Sequence, residues 1–249
     1  EFLAIEGEKN FLKLLEKNIK LFKNSYVEIE KSFCGINQNQ HYTIKSQSGT
    51  ASLTTEEGES KKTKIISLKS LDNILKEHPK FKDANILKID TDGFEINILK
   101  SSINYLKRAK PILYFEYTPQ FYKDHKQNFL DIFNLLISLG YQNSLFYDNY
   151  GFPQGIVKNN NTDIIKYYNS QIDNRFIHYY DILTFHKSKA QYNNLYETEL
   201  LNHSQKSKLI TDIYKKRLLT VKEKINNQKI EYRKTIDQKE TEYKKSLFT

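Results

Sequence analysis

The 249-residue chain has no tryptophan, no methionine and one cysteine, Cys34. A single cysteine excludes an internal disulfide and a paired-cysteine zinc site, and it fits a reducing cytoplasm, which is the expected location. Methionine is missing even at position 1, so the sequence reads as a fragment that does not begin at a translation start. No apolar run approaches the roughly 18 uninterrupted residues of a membrane helix, and no membrane span is expected. The opening Glu1-Phe2-Leu3-Ala4-Ile5-Glu6 lacks the charged start and apolar core of a signal peptide, so the chain reads as soluble. The 8 glycines never form a GxGxG loop, whose backbone N–H groups would approach a nucleotide closely.

Apolar material is nevertheless ample. Hydrophobic residues make up 38% and aromatics 13%, with 18 Tyr and 15 Phe, which suffices to bury an interior. The length suits one large α/β domain with an appendage. The net charge of +9 is unevenly placed: residues 206–249 hold 13 Lys and Arg against 6 Asp and Glu, leaving the rest of the chain near neutral. A neutral body argues against nucleic acid as a partner.

Along the chain, Phe2–Ile5 reads as a buried parallel strand closed by Glu6-Gly7. Leu12, Leu15, Ile19 and Phe22 then recur on one helical face, and Tyr26–Ile29 reads as a second strand. The polar stretch 35–62 predicts a long loop with weak strands, and Ser67–Glu77 predicts a helix through Leu68, Leu71, Ile74 and Leu75. Asn85–Asp90 predicts a central strand, followed by a helix with Ile96, Leu99, Ile103 and Leu106 on one face. Pro111 leads into a strand at Ile112–Glu116, and Phe129, Phe133 and Leu136 mark a helix capped by Gly140. Aromatic-rich strands follow, joined at Asp148-Asn149-Tyr150-Gly151, with a further strand at His178–Phe185. The order predicts a mostly parallel sheet ending in an antiparallel hairpin.

The C-terminal segment differs in kind. Ile210, Val221, Tyr232 and Tyr243 recur every eleven residues, as do Tyr214, Ile225, Ile236 and Leu247. Eleven residues in three turns suit a nearly straight helix pair, so a long helix is expected that joins copies of the chain or spaces a further domain. A solvated, highly charged helix that docks nowhere is the plainer alternative. Residues 1–188 are taken as the globular domain and 189–249 as a helical extension.

Ligands of doubly wound sheets bind beyond the carboxyl ends of strands, and three strands here stop at acids: Glu6, Asp90 with Asp92, and Glu116. A carboxylate at such an end can take both hydroxyls of a ribose, although a Glu after a strand is commonly only a solvated turn residue. Lys88-Ile89-Asp90-Thr91-Asp92-Gly93-Phe94-Glu95 is more specific, with three acids and a glycine in one strand-to-helix turn. Asp92 and Glu95 can be read as a capping pair, but a cap leaves Asp90 unexplained.

These pieces resemble the FkbM family of S-adenosylmethionine-dependent methyltransferases. The likeness rests on Phe2–Glu8 with Asn10–Leu15 and Asn18-Ile19, on Ser67–Leu75, on Ile86–Glu95 with Ile98-Leu99, and on Pro111–Glu116, in the family's order over residues 2 to about 186. The resemblance implies a Rossmann-like methyltransferase sheet with S-adenosylmethionine as cofactor. It implies that Glu6, with Gly7, holds the cofactor ribose and that Asp90 lies near the methyl group. Asp92 and Glu95 complete the signature turn, either touching substrate or shaping the loop, and Glu116 either faces the acceptor or is structural. Two features depart from the pattern: the glycine-rich loop and first strand are missing, and Cys34-Gly35 stands where an acid reading adenine is expected.

Methyl transfer from a sulfonium needs alignment of the acceptor and removal of a proton, so Asp90, Asp92 and Glu116 are the catalytic candidates. Their spacing fixes no coordination set, and no metal is assigned. The expected reaction is O-methylation of a sugar, glycan or small-metabolite hydroxyl, with Gln38–Gly58 and the aromatic hairpin setting specificity. A non-catalytic assembly module acting through its C-terminal helix is the competing reading. A nucleic-acid methyltransferase is disfavoured by the missing Asn/Asp-Pro-Pro-aromatic motif.

Overall fold

Phe2–Ile5 forms strand β1, and helix α1, Lys9–Ile19, follows across a short turn. Strand β2, Val27–Glu30, pairs parallel with β1, Phe2 lying opposite Val27. Next come β3 (Phe33–Cys34), the hairpin strands β4 (Tyr42–Gln47) and β5 (Thr50–Thr55), and β6 (Leu68–Lys69), which pairs parallel with β3. Helix α2 (Leu71–Glu77) and a 3-10 turn at Pro79–Phe81 lead to β7 (Ile86–Ile89), α3 (Glu95–Ser101) and α4 (Ile103–Ala109). The remainder is β8 (Ile112–Tyr117), α5 (Pro119–Tyr122), α6 (Asp131–Ser138), β9 (Tyr141–Asp148), β10 (Pro153–Lys158), α7 (Thr162–Asp173) and β11 (Tyr180–His186). This computed structural model describes residues 1–22, 25–36, 66–122, 127–189, 192 and 194–205, the backbone of 42–47 and 50–55, and scattered positions from 208 to 233.

The fold is mixed α/β. Its largest sheet has the strand order β10-β9-β11-β8-β7. Only β7 and β8 pair parallel there; the other three ladders are antiparallel, because β11 returns between β8 and β9 instead of adding at the edge. The antiparallel part is thus larger than the terminal hairpin expected from sequence. Strand β7 was expected to be central, yet among the described residues β8 is its one strand neighbour, and Ile86 is 63% exposed.

The core lies where helices cover this sheet. Ile74, Ile96, Leu99 and Leu106 from three helices meet Leu113 and Phe115 of β8, all fully buried. Burying one such side chain contributes about 1.5–3 kcal/mol, so this cluster fixes which helical faces turn inward. On the hairpin side Phe146 stacks on Tyr168 at 4.7 Å between centroids, and Tyr180 packs edge-on against both rings.

Three departures from sequence expectation have local causes. The helix predicted from Ser67 begins only at Leu71: Leu68–Lys69 is drawn into the β3 ladder, and Ser70 caps α2 by accepting from the Asn73 N–H at 3.2 Å. The single helix predicted after Gly93 breaks at Ser102, where the Ser101 and Ser102 hydroxyls bond back to the carbonyls of Ile98 and Leu99. The carboxylate of Asp72 then caps α4, accepting from the N–H groups of Asn104 and Tyr105. Helix α7 was not expected at all; Ile165, Tyr168 and Ile172 give it a buried stripe at helical spacing.

The chain divides into two compact units, Glu1–Tyr196 and Glu197–Thr249. Tyr196 belongs to the first because its hydroxyl donates to the Asn143 carbonyl at 2.9 Å and its ring packs on Phe185 at 4.7 Å. Residues 194–205 are helical. The eleven-residue stripe from Ile210 to Leu247 lies outside the described residues. No helix among the described residues is long and apolar enough to cross a membrane.

Candidate active site

The turn after β1 is built by two glutamates and a glycine. Glu8 caps α1, its Oε2 accepting from the N–H groups of Asn10 and Phe11 at 2.6 and 2.9 Å. Glu6 Oε1 accepts from the Glu8 N–H at 2.7 Å, which anchors the Glu6 carboxylate at the carboxyl end of β1. At Gly7 a Cβ would stand 2.5 Å from the Phe33 ring, so only glycine lets this turn lie against β3.

The second wall comes from the end of β7. Asp90, half-exposed, pairs with Lys88 at 2.8 Å, and the chain turns through Asp92 and Gly93 at φ of 50° and 103°. Both values lie in the left-handed region, where a non-glycine residue such as Asp92 is strained. A Cβ on Gly93 would also fall 2.4 Å from Phe121 Cβ, so glycine is required here by conformation and by space.

Between these walls lies a cavity of about 320 Å³. It is lined by Glu6, Gly7, Glu8 and Phe11, by Phe33 and Cys34, and by Leu87 to Thr91 with Phe94 and Ile98. Glu6, Gly7 and Asp90 are therefore brought together. Asp92 and Glu116 are not part of the lining. Glu116, on β8, is near enough to Asp90 for the two carboxyls to influence each other.

The electrostatics follow from burial and crowding of acids. Burial, then the bond to Asp90 and the charges of Asp90, Asp92 and Glu95, push the Glu116 carboxyl up to about 8. Near neutral pH the Glu116 carboxyl thus retains its proton. Burial and the Asp90 charge likewise raise Asp92. Asp181 faces Glu116 across the β8–β11 ladder, and burial raises it against the opposing bond from Tyr114. Burial pushes the Cys34 thiol up to about 11, so it is no nucleophile at neutral pH. Among the described residues no three His, Cys, Asp or Glu side chains are grouped to hold a metal ion.

Sequence reasoning missed Asn97. From α3 its side chain accepts from the Ile36 N–H at 2.6 Å and donates to the Ile36 carbonyl at 3.2 Å, pinning the chain that leaves Cys34-Gly35 beside the cavity. Nothing in an Asn within an apolar helix announces a partner 61 residues away. Of the Gln38–Gly58 segment expected to set specificity, the structure describes only the β4–β5 backbone; its side chains lie outside the described residues.

A ligand-sized cavity rimmed by acids from the carboxyl ends of β1 and β7, strands of two separate sheets, places the protein in the class of α/β proteins with a candidate small-molecule site at strand ends. Within that class, residues 1–142 match the family model of the methyltransferase FkbM domain. The match spans more than half of the chain, and the chain belongs to the FkbM methyltransferase family. No curated protein and no solved structure matches it.

Proposed function

We propose that this methyltransferase takes its methyl group from S-adenosylmethionine and places it on a hydroxyl of a sugar, glycan or other small metabolite, within a Rossmann-like methyltransferase sheet. The observation that carries the reading is that Glu6 and Asp90, from two different strand ends, open onto one cavity. The residues fit the cofactor. The volume of about 320 Å³ lies in the roughly 300–1,000 Å³ range of small-molecule sites. A carboxylate in the position of Glu6 can accept both hydroxyls of a ribose, and Phe11, Phe33 and Phe94 offer apolar faces to a base.

Bound there, the cofactor would supply an already activated sulfonium methyl. The protein's part is alignment and removal of a proton. Asp90, at the edge of the cavity, is the group to accept the hydroxyl proton, and Glu116 in its acid form donates to Asp90 and keeps it oriented. Asp92 acts through the turn that carries Asp90. Residues 1–188 make up the methyltransferase domain of this cytoplasmic protein, and 189–249 form a helical, coiled-coil extension that joins copies of the chain or a further domain.

Calorimetric titration of S-adenosylmethionine into the full-length protein tests the reading. Glu6→Ala should weaken binding at least about tenfold, from the loss of hydrogen bonds to a charged group. Asp90→Asn should lower methyl transfer by about 100-fold or more with the melting curve unchanged. Binding undiminished by Glu6→Ala would remove Glu6 from the site, and no binding by the wild type would remove the cofactor assignment.

A further inference from the structure

Glu95 is the first residue of α3, a position where a glutamate is ordinarily solvated, yet its side chain is fully buried. Oε1 turns back over the preceding loop and accepts three hydrogen bonds, from Thr91 N at 3.2 Å, Thr91 Oγ1 at 2.9 Å and Gly93 N at 3.2 Å. Two successive left-handed residues, Asp92 and Gly93, turn these N–H groups toward one point, and a concave set of N–H groups of this kind is suited to an anionic oxygen. Burying a carboxylate is costly, so three donors converging on one oxygen mark a group with a specific task.

The bonds hold the stretch that forms one wall of the cavity. Asp90 and Thr91 line it directly, Phe94 lines it from the next residue but two, and Glu95 ties the backbone between them. We propose that Glu95 is a positioning residue of the cofactor pocket: by clamping Thr91 and Gly93 it sets the strained turn that carries Asp90 opposite Glu6. The inference rests on the cofactor reading above for its consequence and on the hydrogen-bond geometry for its substance. It gives Glu95 a role distinct from helix capping and from contact with substrate.

The experiment compares the full-length protein with Glu95→Gln and Glu95→Ala. Gln keeps a carbonyl oxygen for the same three donors, so it should bind S-adenosylmethionine within threefold of wild type, whereas Ala should bind at least tenfold more weakly. Amide NMR of the wild type supplies a readout independent of the variants and of cofactor. The Thr91 and Gly93 N–H resonances should titrate together near pH 7, where burial places the Glu95 carboxyl, and should lose that step in Glu95→Gln. Binding by Glu95→Ala within threefold of wild type, or Thr91 and Gly93 amides that do not titrate in the wild type, would overturn the proposal. Failure of the wild type itself to bind S-adenosylmethionine would instead overturn the cofactor reading, and the amide titration would still decide the clamp.

Discussion

Replacing Glu95 with glutamine should change the pH dependence of stability in a calculable way. Burial, only partly offset by the bonds from its own backbone N–H and from Thr91 and Gly93, raises the carboxyl from its ordinary 4.5 to about 7. The unfolded chain releases this proton near 4.5 and the folded protein retains it to about 7, so folding loses stability as the pH rises through that window. At about 1.4 kcal/mol per pH unit the loss amounts to roughly 3 kcal/mol once both states are ionised. Glutamine cannot titrate, and any cost of its amide nitrogen at the partnerless Oε2 position is independent of pH. The difference in stability between Glu95→Gln and wild type should therefore move by roughly 3 kcal/mol in favour of the variant between pH 4.5 and 8.5. Relieving Glu116 of a neighbouring charge adds in the same direction. Urea denaturation at four pH values measures this, and two curves that stay parallel across the range would refute the reasoning.

Other consequences are simpler to state. His78 sits between Glu28 at 2.7 Å and Glu30 at 3.1 Å, and Lys69 bridges Glu30 and Glu77, so that β2 is tied to α2. The bond to Glu28 chiefly raises the imidazole against the opposing effect of burial. Its stabilisation is complete below the unfolded value near 6.5 and is lost as pH rises through the higher folded value. His78→Ala should cost about 1–2 kcal/mol at pH 6 and less at pH 9, as thermal melts at the two pH values will show. Gly93→Ala must place a Cβ against Phe121 on a left-handed backbone and should cost at least about 2 kcal/mol, read as a drop in melting temperature.

Much of this arrangement was legible in the residues. The Phe2–Ile5 and Ile112–Glu116 runs, the Leu12-Leu15-Ile19 face and the Gly140 turn each have a local cause, and each forms the expected element, although α1 ends at Ile19 and leaves Phe22 of the expected face exposed. Glu6, Gly7 and Asp90 could be grouped in advance because each follows the carboxyl end of a strand, although β1 and β7 lie in two separate sheets and not in the single sheet expected. What failed was set by distant partners. Leu68 has the spacing of a helical residue but is claimed by the Phe33–Cys34 ladder. Ser102 reads as a neutral helix position until Asp72 caps the chain behind it. The insertion of β11 between β8 and β9 depends on strand pairing that no periodicity encodes. Glu95 looked like a capping residue because spacing alone does not tell which way a carboxylate turns.

The most direct test of the central claim is a crystal structure of the full-length protein with S-adenosylhomocysteine. The ribose hydroxyls should lie within hydrogen-bond distance of the Glu6 carboxylate, with the sulfur directed toward Asp90. A nucleoside bound outside the cavity shared by Glu6 and Asp90 would contradict the account.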